Sequence, residues 1–446
     1  MLQFKSLSIA VFLFYTPYSI SQIVYSNGAT ISMTGGSILH CNGGFQLTGN
    51  TFFTNEGNLT VTKLSTLPER GNYNMGAGSS ASGSGNYRVE QDWINDGIFA
   101  ADGSNVFLYG NTEQIITSNN GTVTIFNNLT LTGTGTNNDR KKSLLNVDAE
   151  VGQIGILNLT DRELSTAANN FYVRNTAAGC ILNSTTYGSE GFVSSLNNGY
   201  LFRETAASSD YLFPVGSSIG TLRYRPVTIQ PLGTSDHQFA VRLNNYIADL
   251  DSYPLAQKES IIENANSFYY HSIERTSGSS DASISAYFDP TVDGDWKGLA
   301  NWNSAEALWK VLEQPVASSQ GNYKVITKNS WNFSNQNPYV LTNPADLLII
   351  PTAFTPDQDA VHDTWSIPFL DQQYPDNVVR IYNRWGNLLF EHDSKANGPY
   401  ENHEWDGTYE GNNLPVASYY FIIDFNDDEK NAATGIVTIV KEKENE

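Results

Sequence analysis

The chain has 446 residues, 40% of them hydrophobic and 12% aromatic, with 36 glycines and a formal net charge of −21. That length suits two to four domains with sizeable cores. The acidic balance speaks against nucleic-acid or anionic-membrane binding, because phosphate recognition needs clustered Lys and Arg that release counterions, and two cysteines are too few for a disulfide scaffold.

Long helical periodicity is nearly absent and Gly, Asn, Ser and Thr mark frequent corners, so the expected class is all-β. Residues 1–21 read as a signal peptide. Lys5 supplies the positive end, Leu7 to Tyr15 the apolar run, and Ser19 and Ser21 the small residues before cleavage near Gln22. That run is shorter than the ~20 residues of a spanning helix, and no transmembrane segment is expected in the mature chain.

Residues 22–205 repeat a short theme in Asn58-Leu59-Thr60, Asn128-Leu129-Thr130 and Asn158-Leu159-Thr160, with Gly44-Phe45-Gln46-Leu47-Thr48 as a variant. Short alternating strands separated by Gly/Asn corners predict an irregular β-solenoid, whose turns share one core because none can bury its apolar face alone. A large β-sandwich is the rival. Met75 to Asn86, nearly all Gly, Ser and Ala, reads as a flexible excursion. Over 206–345 the strands lengthen, as in Phe239-Ala240-Val241-Arg242-Leu243 and Ser283-Ile284-Ser285-Ala286-Tyr287-Phe288, which predicts an Ig-like β-sandwich. Within it, Pro254 to Asn266 is the one stretch with helical character. Residues 346–446 predict a seven-stranded sandwich. It contains a hairpin of Val378–Tyr382 with Leu388–Glu391, and further strands at Tyr419–Phe425 and Ile436–Val440.

Among candidate sites, Asp357, Asp359 and Asp363 follow Pro356 on a short loop. Three carboxylates there suit Ca²⁺, a hard cation that takes about six to eight oxygen ligands; the rival reading is a solvated acidic turn. Gly216-Ser217-Ser218-Ile219-Gly220 matches a hydrolase elbow formally, but a strand pattern follows where a helix is required, so it reads as a turn. Asp92, Asp96, Asp102, Glu150, Asp161 and Glu163 are scattered, and Trp93 between Asp92 and Asp96 reads as a packed corner before a sugar contact. The six histidines lack zinc spacing. Trp296, Trp302, Trp309 and Trp331 read as core before a sugar platform. Cys41 and Cys180 are compatible with one disulfide, although two residues fix no pairing.

A set of separated motifs closes the chain. They run Pro351, Phe354-Thr355-Pro356, then Arg384-Trp385-Gly386, Trp405-Asp406-Gly407, Tyr419-Tyr420-Phe421 and Gly435-Ile436-Val437-Thr438-Ile439-Val440-Lys441. In this order they resemble the gliding-motility-associated C-terminal domain of Bacteroidetes surface proteins, the type B sorting domain of the type IX secretion system. Departures are Asp357, Gln358, Ala360 and His362 in the acidic loop, Ala417 where Gly is usual, and Lys441 where Arg is common. The resemblance implies export by the type IX machinery to the cell surface or the medium. The upstream region resembles the β-helix-like regions of such exported proteins. For it two expectations stand. One is a non-catalytic structural or adhesin-like body that contacts a surface glycan or another surface protein. The other is a polysaccharide lyase or hydrolase, which would need two carboxylates about 5–10 Å apart in a groove.

Overall fold

The computed structural model describes residues 23–64, 71–312, 316–333, 337–345, 348–359, 361–427 and 430–440. The expected signal peptide, Ala360 and Lys441 lie outside these. The chain divides into two compact units, Met1–Asn343 and Pro344–Glu446. Both are built from strands, so the class is all-β, and no described helix is long and apolar enough to cross a membrane.

The first unit begins as a stack of parallel coils. Phe45–Thr48, Phe52–Asn55 and Asn58–Thr62 form one coil, and Tyr73–Met75, Ser80–Ser82 and Asn86–Val89 form the next. Each strand pairs in parallel with its counterpart one coil on, as in Phe45↔Tyr73↔Trp93 and Phe53↔Ala81↔Phe99. The alternation read from the sequence decides what faces in. In Asn58–Thr62, Leu59 and Val61 are buried while Asn58, Thr60 and Thr62 are half-buried, because successive side chains of a strand point to opposite faces.

Parallel pairing sets equivalent side chains above one another, so the core is a column of rings. Phe45 stacks on Tyr73 at 5.8 Å between centroids, Tyr73 on Trp93 at 4.3 Å, and Trp93 tilts against Phe126 at 5.5 Å. Tyr87 and Phe99 meet Trp93 edge-on at 6.0 and 5.0 Å. Offset and edge-on contacts of this kind add about 0.5–1.5 kcal/mol per pair beyond the area buried. Trp93 is completely buried.

The outer face carries a second column. Asn86 donates to Asn58 at 2.7 Å, Asn105 to Asn86 at 2.9 Å and Asn128 to Asn105 at 2.9 Å, and the ladder ends where the Ile156 N–H donates to Asn128. An amide is both donor and acceptor, so asparagines can chain through a parallel sheet. Two of the asparagines that begin the repeated triplets are rungs; the third, Asn158, is paired with Thr130 instead, after a register shift between Phe126 and Asn128.

The glycine- and serine-rich run from Met75 to Asn86 is not a flexible excursion. It is most of a coil, with Ser79 and Ala81 fully buried. A side chain at Gly83 would sit 2.3 Å from the Asn55 carbonyl oxygen, and one at Gly85 2.6 Å from that of Gly57. Small residues let neighbouring coils close on each other.

Pairing turns antiparallel where Leu201–Thr205 receives His237–Asn244. The same sheet then runs on through Tyr270–Ser277 and Asn337–Pro344 to Gly298–Asn303 and Leu308–Val311. A five-stranded antiparallel sheet joins Tyr211–Phe213, Val227–Pro231, Ala282–Phe288, Tyr323–Trp331 and Val316–Gln320. Pro254 to Asn266 holds a strand, Ile262–Ala265, in place of the expected helix; the α-helical turn lies at Pro290–Asp293. Trp302 and Trp309 pack against each other in a core with Tyr253 and Tyr270. Cys41 and Cys180 are free and buried.

In the second unit Ala353–Phe354, Ala433–Ile439, Ser418–Asp424, Val378–Tyr382 and Leu388–Asp393 form one sheet in that order. Thr408–Tyr409 and Asn412–Asn413 make a separate hairpin, so among the described residues seven strands divide five and two. Two helical turns, Leu370–Gln373 and Ser394–Asn397, had no counterpart in the sequence pattern.

Two predictions follow from buried charge in the first unit. Asp293 is fully buried between Arg223, at 3.0 Å, and Arg225. Asp293→Ala leaves two guanidinium groups uncompensated and should lower unfolding free energy by about 3–5 kcal/mol in denaturant titration. Lys142 is fully buried, donates to the Gly110 carbonyl at 2.8 Å and to Gln114 at 2.6 Å, and burial brings its ammonium down to about 7. In the unfolded chain the group holds its proton to about 10.4. Between these values the unfolded state binds the extra proton, so stability rises with pH from about 7 upwards. Melting temperatures at pH 7 and 9 should show this rise, and Lys142→Met should flatten it.

Candidate functional site

The closing motifs sort into two kinds of residue. Phe354, Trp405 and Tyr419 are buried. The Trp405 ring meets Phe354 at 5.2 Å and Tyr419 at 5.5 Å, and its N–H donates to the Thr408 carbonyl at 3.2 Å. Asp406 closes the turn by accepting the Thr408 N–H at 2.9 Å and its hydroxyl at 2.7 Å. Gly407 then takes a φ of +77°, which glycine adopts readily. A Cβ there would lie 3.2 Å from Ile439, Phe354 and Pro356. Trp405-Asp406-Gly407 is thus a capped turn pressed under the Phe354-Thr355-Pro356 segment. Pro351 enters the same frame by accepting the Trp365 indole N–H at 2.7 Å.

Arg384, Trp385 and Gly386 are exposed, Trp385 by 80%. They cap the hairpin between Val378–Tyr382 and Leu388–Asp393. Asn383 builds that tip, accepting the N–H of Trp385 at 2.9 Å and of Asn387 at 3.0 Å, and Gly386 supplies a φ of +82°. A fixed turn therefore holds a large aromatic ring out in water, where burial would stabilise it by about 1.5–3 kcal/mol.

The residue that sequence reasoning missed is Asp371. Its carboxylate accepts N–H groups from Tyr400 and Glu401 and the Asn377 amide, each at 2.8 Å, and the Ser394 hydroxyl at 3.3 Å. It ties both helical turns to the 400–402 turn. A lone Asp carries no spacing signal, so only the assembled loops reveal it.

Asp357, Asp359 and Asp363 converge, with carboxylate oxygens within 4.8 Å of one another. Asp363 accepts the Gln358 N–H at 2.6 Å and Asp359 that of Val361 at 2.8 Å. Gln358 and His362 take φ values of +70° and +57°. Gln358 thus adopts the left-handed backbone for which glycine is the usual choice, and its N–H bond to Asp363 offsets part of the strain. Three oxygens fit part of a Ca²⁺ shell and leave the remainder to carbonyls and water.

The acids singled out in the first unit either hold corners or pair with neighbouring side chains. Asp92 accepts the Ile115 N–H at 2.8 Å, Asp96 that of Asn119 at 2.6 Å and Asp102 that of Gly83 at 2.8 Å. Burial raises the Asp92 carboxyl, whereas hydrogen bonds from Asn119 and Ser118 outweigh desolvation and lower that of Asp96. Glu150 pairs with Arg174 at 3.0 Å, Asp161 with Arg162 at 2.6 Å, and Glu163 accepts the Ser194 hydroxyl at 2.6 Å. Gly216-Ser217 ends a strand that pairs with Arg223–Tyr224, a hairpin in place of a nucleophile elbow.

Residues 348–439 match the family of the CHU_C type IX secretion signal domain. No curated protein and no solved structure matches the chain. The second unit, with its buried motif aromatics and its exposed Arg384-Trp385-Gly386 tip, therefore carries a type IX secretion signal domain, which engages the type IX secretion machinery and directs export to the cell surface or the extracellular space.

Proposed function

We propose that the first unit is a non-catalytic cargo, a structural or adhesin-like body that meets a surface glycan or another surface protein after export. The observation that supports this reading is the use of its acids. Asp92, Asp96 and Asp102 each hold a backbone N–H of a neighbouring stretch, which suits a stiff scaffold. On this reading, incubation of the whole protein with polysaccharides releases no reducing ends and no unsaturated products; release of either would make it a polysaccharide-active enzyme.

For the address, we propose that the exposed Trp385 tip is what the export machinery grips. Removal of residues 344–446 should leave the remainder in the periplasm, and surface delivery of that truncation would refute the role of the unit. Trp385→Ala should retain the melting temperature and lose surface delivery. Trp405→Ala should instead unfold the unit, by about 3–5 kcal/mol, as loss of a core tryptophan does.

The loop of Asp357, Asp359 and Asp363 is read as a Ca²⁺ site on its converging oxygens. Calorimetric titration of the whole protein should show binding that Asp359→Ala removes. A flat titration leaves the loop as a hydrogen-bonded turn.

A further inference from the structure

The first unit contains a cavity of about 130 Å³ whose wall includes Glu190, Tyr224, Arg225, Asp289, Tyr187 and Tyr323. Glu190 precedes the coil strand Phe192–Ser194, Tyr224 and Arg225 follow the turn of the next hairpin, Asp289 caps the helix Pro290–Asp293, and Tyr323 opens the strand Tyr323–Trp331. A single water needs only about 10–15 Å³ of such space, and drug-sized ligands take about 300–1,000 Å³. The volume limits a ligand to about one small ring.

The polar groups of the wall retain unused hydrogen-bonding capacity. Glu190 is only 5% exposed, and one of its oxygens accepts the Tyr323 hydroxyl at 2.6 Å. Its other oxygen has no partner among the described residues. Arg225 is 3% exposed, places Nε on Asp293 and donates from Nη1 to the Tyr224 carbonyl at 2.7 Å. Its Nη2 has no hydrogen bond among the described residues. The Tyr224 hydroxyl accepts from Asn183 at 3.1 Å and keeps its own proton to donate. Arg140 lines the same cavity, and its buried Nε has no hydrogen-bond partner among the described residues; a buried N–H of this kind is costly unless something meets it.

Charge in the wall is balanced. Glu190 and Asp289 line the wall with Arg225 and Arg140. A free ammonium is therefore repelled by two guanidinium groups as it is drawn to two carboxylates, an anion the reverse, and neither charge gains a net attraction. A neutral ligand escapes both repulsions. Hydroxyl groups donate to the Glu190 oxygen and accept from Arg225 and Tyr224, and they do so with the same atoms. The remaining wall is mostly apolar, with the aromatic rings of Tyr187, Phe192 and Tyr323 beside Leu222 and Val292. Tyr187 and Tyr323 lie 5.9 Å apart, and Tyr187 is 48% exposed at the mouth, its hydroxyl held by Asp289 at 2.6 Å. An amphipathic ring there offers an apolar face to the C–H side of a sugar.

We infer that this cavity binds one neutral sugar ring, the terminal residue of a glycan, with Glu190 and Arg225 reading its hydroxyls and Tyr187 covering its C–H face. The inference rests on the glycan-meeting reading of the cargo and deepens it by naming the ligand class and the site. It is tested by calorimetric and NMR titration of the whole protein with neutral hexoses, deoxyhexoses and N-acetylhexosamines, with glucosamine and glucuronate as charged controls. At least one neutral sugar should bind and both controls should bind more weakly. Glu190→Gln and Tyr187→Ala should each weaken binding at least about tenfold, a change of about 1.4 kcal/mol, whereas Tyr187→Phe, which keeps the ring, should retain it. Tyr187 lies at the surface, so the melting temperature of its variants should be unchanged and the test survives if Glu190→Gln misfolds. Absence of binding by every neutral sugar overturns the inference, as does preference for a charged control. Sugar binding that is unchanged in both Glu190→Gln and Tyr187→Ala overturns the cavity while leaving a glycan-meeting body intact elsewhere.

Discussion

Parallel pairing from coil to coil is the constraint on which the first unit depends. It sets residue above residue at the spacing of neighbouring strands, about 4.7–4.9 Å, so wherever the register holds a position of one coil is answered by the same position of the next. An inward position becomes a column, and the column must be filled without gaps. Phe45, Tyr73 and Trp93 fill one, and Phe53, Ala81 and Phe99 another, where the small Ala81 makes room between two rings. An outward polar position becomes a ladder, and Asn is suited to it because each amide passes a hydrogen bond onward. The stack must then end without a bare parallel edge, which would invite pairing with other chains. The antiparallel strand His237–Asn244 covers the edge of Leu201–Thr205.

The same constraint explains what the sequence revealed and what it hid. The alternation within Asn58–Thr62 and the repeated Asn-Leu-Thr triplets were legible because they are local. Rungs Asn86 and Asn105 were not, since the residues after them, Tyr87-Arg88 and Val106-Phe107, do not repeat the triplet; only the register Asn58↔Asn86↔Asn105↔Asn128 joins them. Asn158 matched in sequence and missed in space, because the shift at Phe126/Asn128 moves Ile156 onto the ladder. Composition misled at Met75 to Asn86. Glycine and serine are the residues of linkers, but they are also what remains when two backbones leave no space for a Cβ, as at Gly83 and Gly85.

In the second unit the motif residues were legible as a set, and their division of labour was not. Periodicity cannot tell that Trp405 is buried while Trp385 stands in water, since each lies in a short aromatic motif followed at once or two residues on by glycine. Burial separates them by what each glycine does. Gly407 packs against Phe354, Pro356 and Ile439, whereas the added Cβ at Gly386 meets nothing within 4 Å. The first glycine serves close packing and the second serves only the turn. Asp371 had no signal because its partners, Asn377, Ser394, Tyr400 and Glu401, are distributed over thirty residues that include the strands Val378–Tyr382 and Leu388–Asp393.

Buried charge in the first unit follows one rule with two outcomes. Asp293 is matched by Arg223 and Arg225, so its lone pairs are met inside the protein and the cluster serves structure. Arg225 belongs to that cluster and also to the cavity wall, where one of its nitrogens remains unmatched beside the similarly half-matched Glu190. Replacing a whole buried ion pair by apolar residues is often neutral or better, so charge kept in a cavity wall is weak evidence of a purely stabilising role. Partnering on one side only is what distinguishes the wall of the cavity from the corner acids of the coils. Asp92, Asp96 and Asp102 accept from backbone groups that would otherwise be orphaned. Glu190 and Arg225 line the cavity with one oxygen and one nitrogen left without a hydrogen bond among the described residues, and an acceptor beside a donor in a ring-sized volume is what a sugar hydroxyl pair meets.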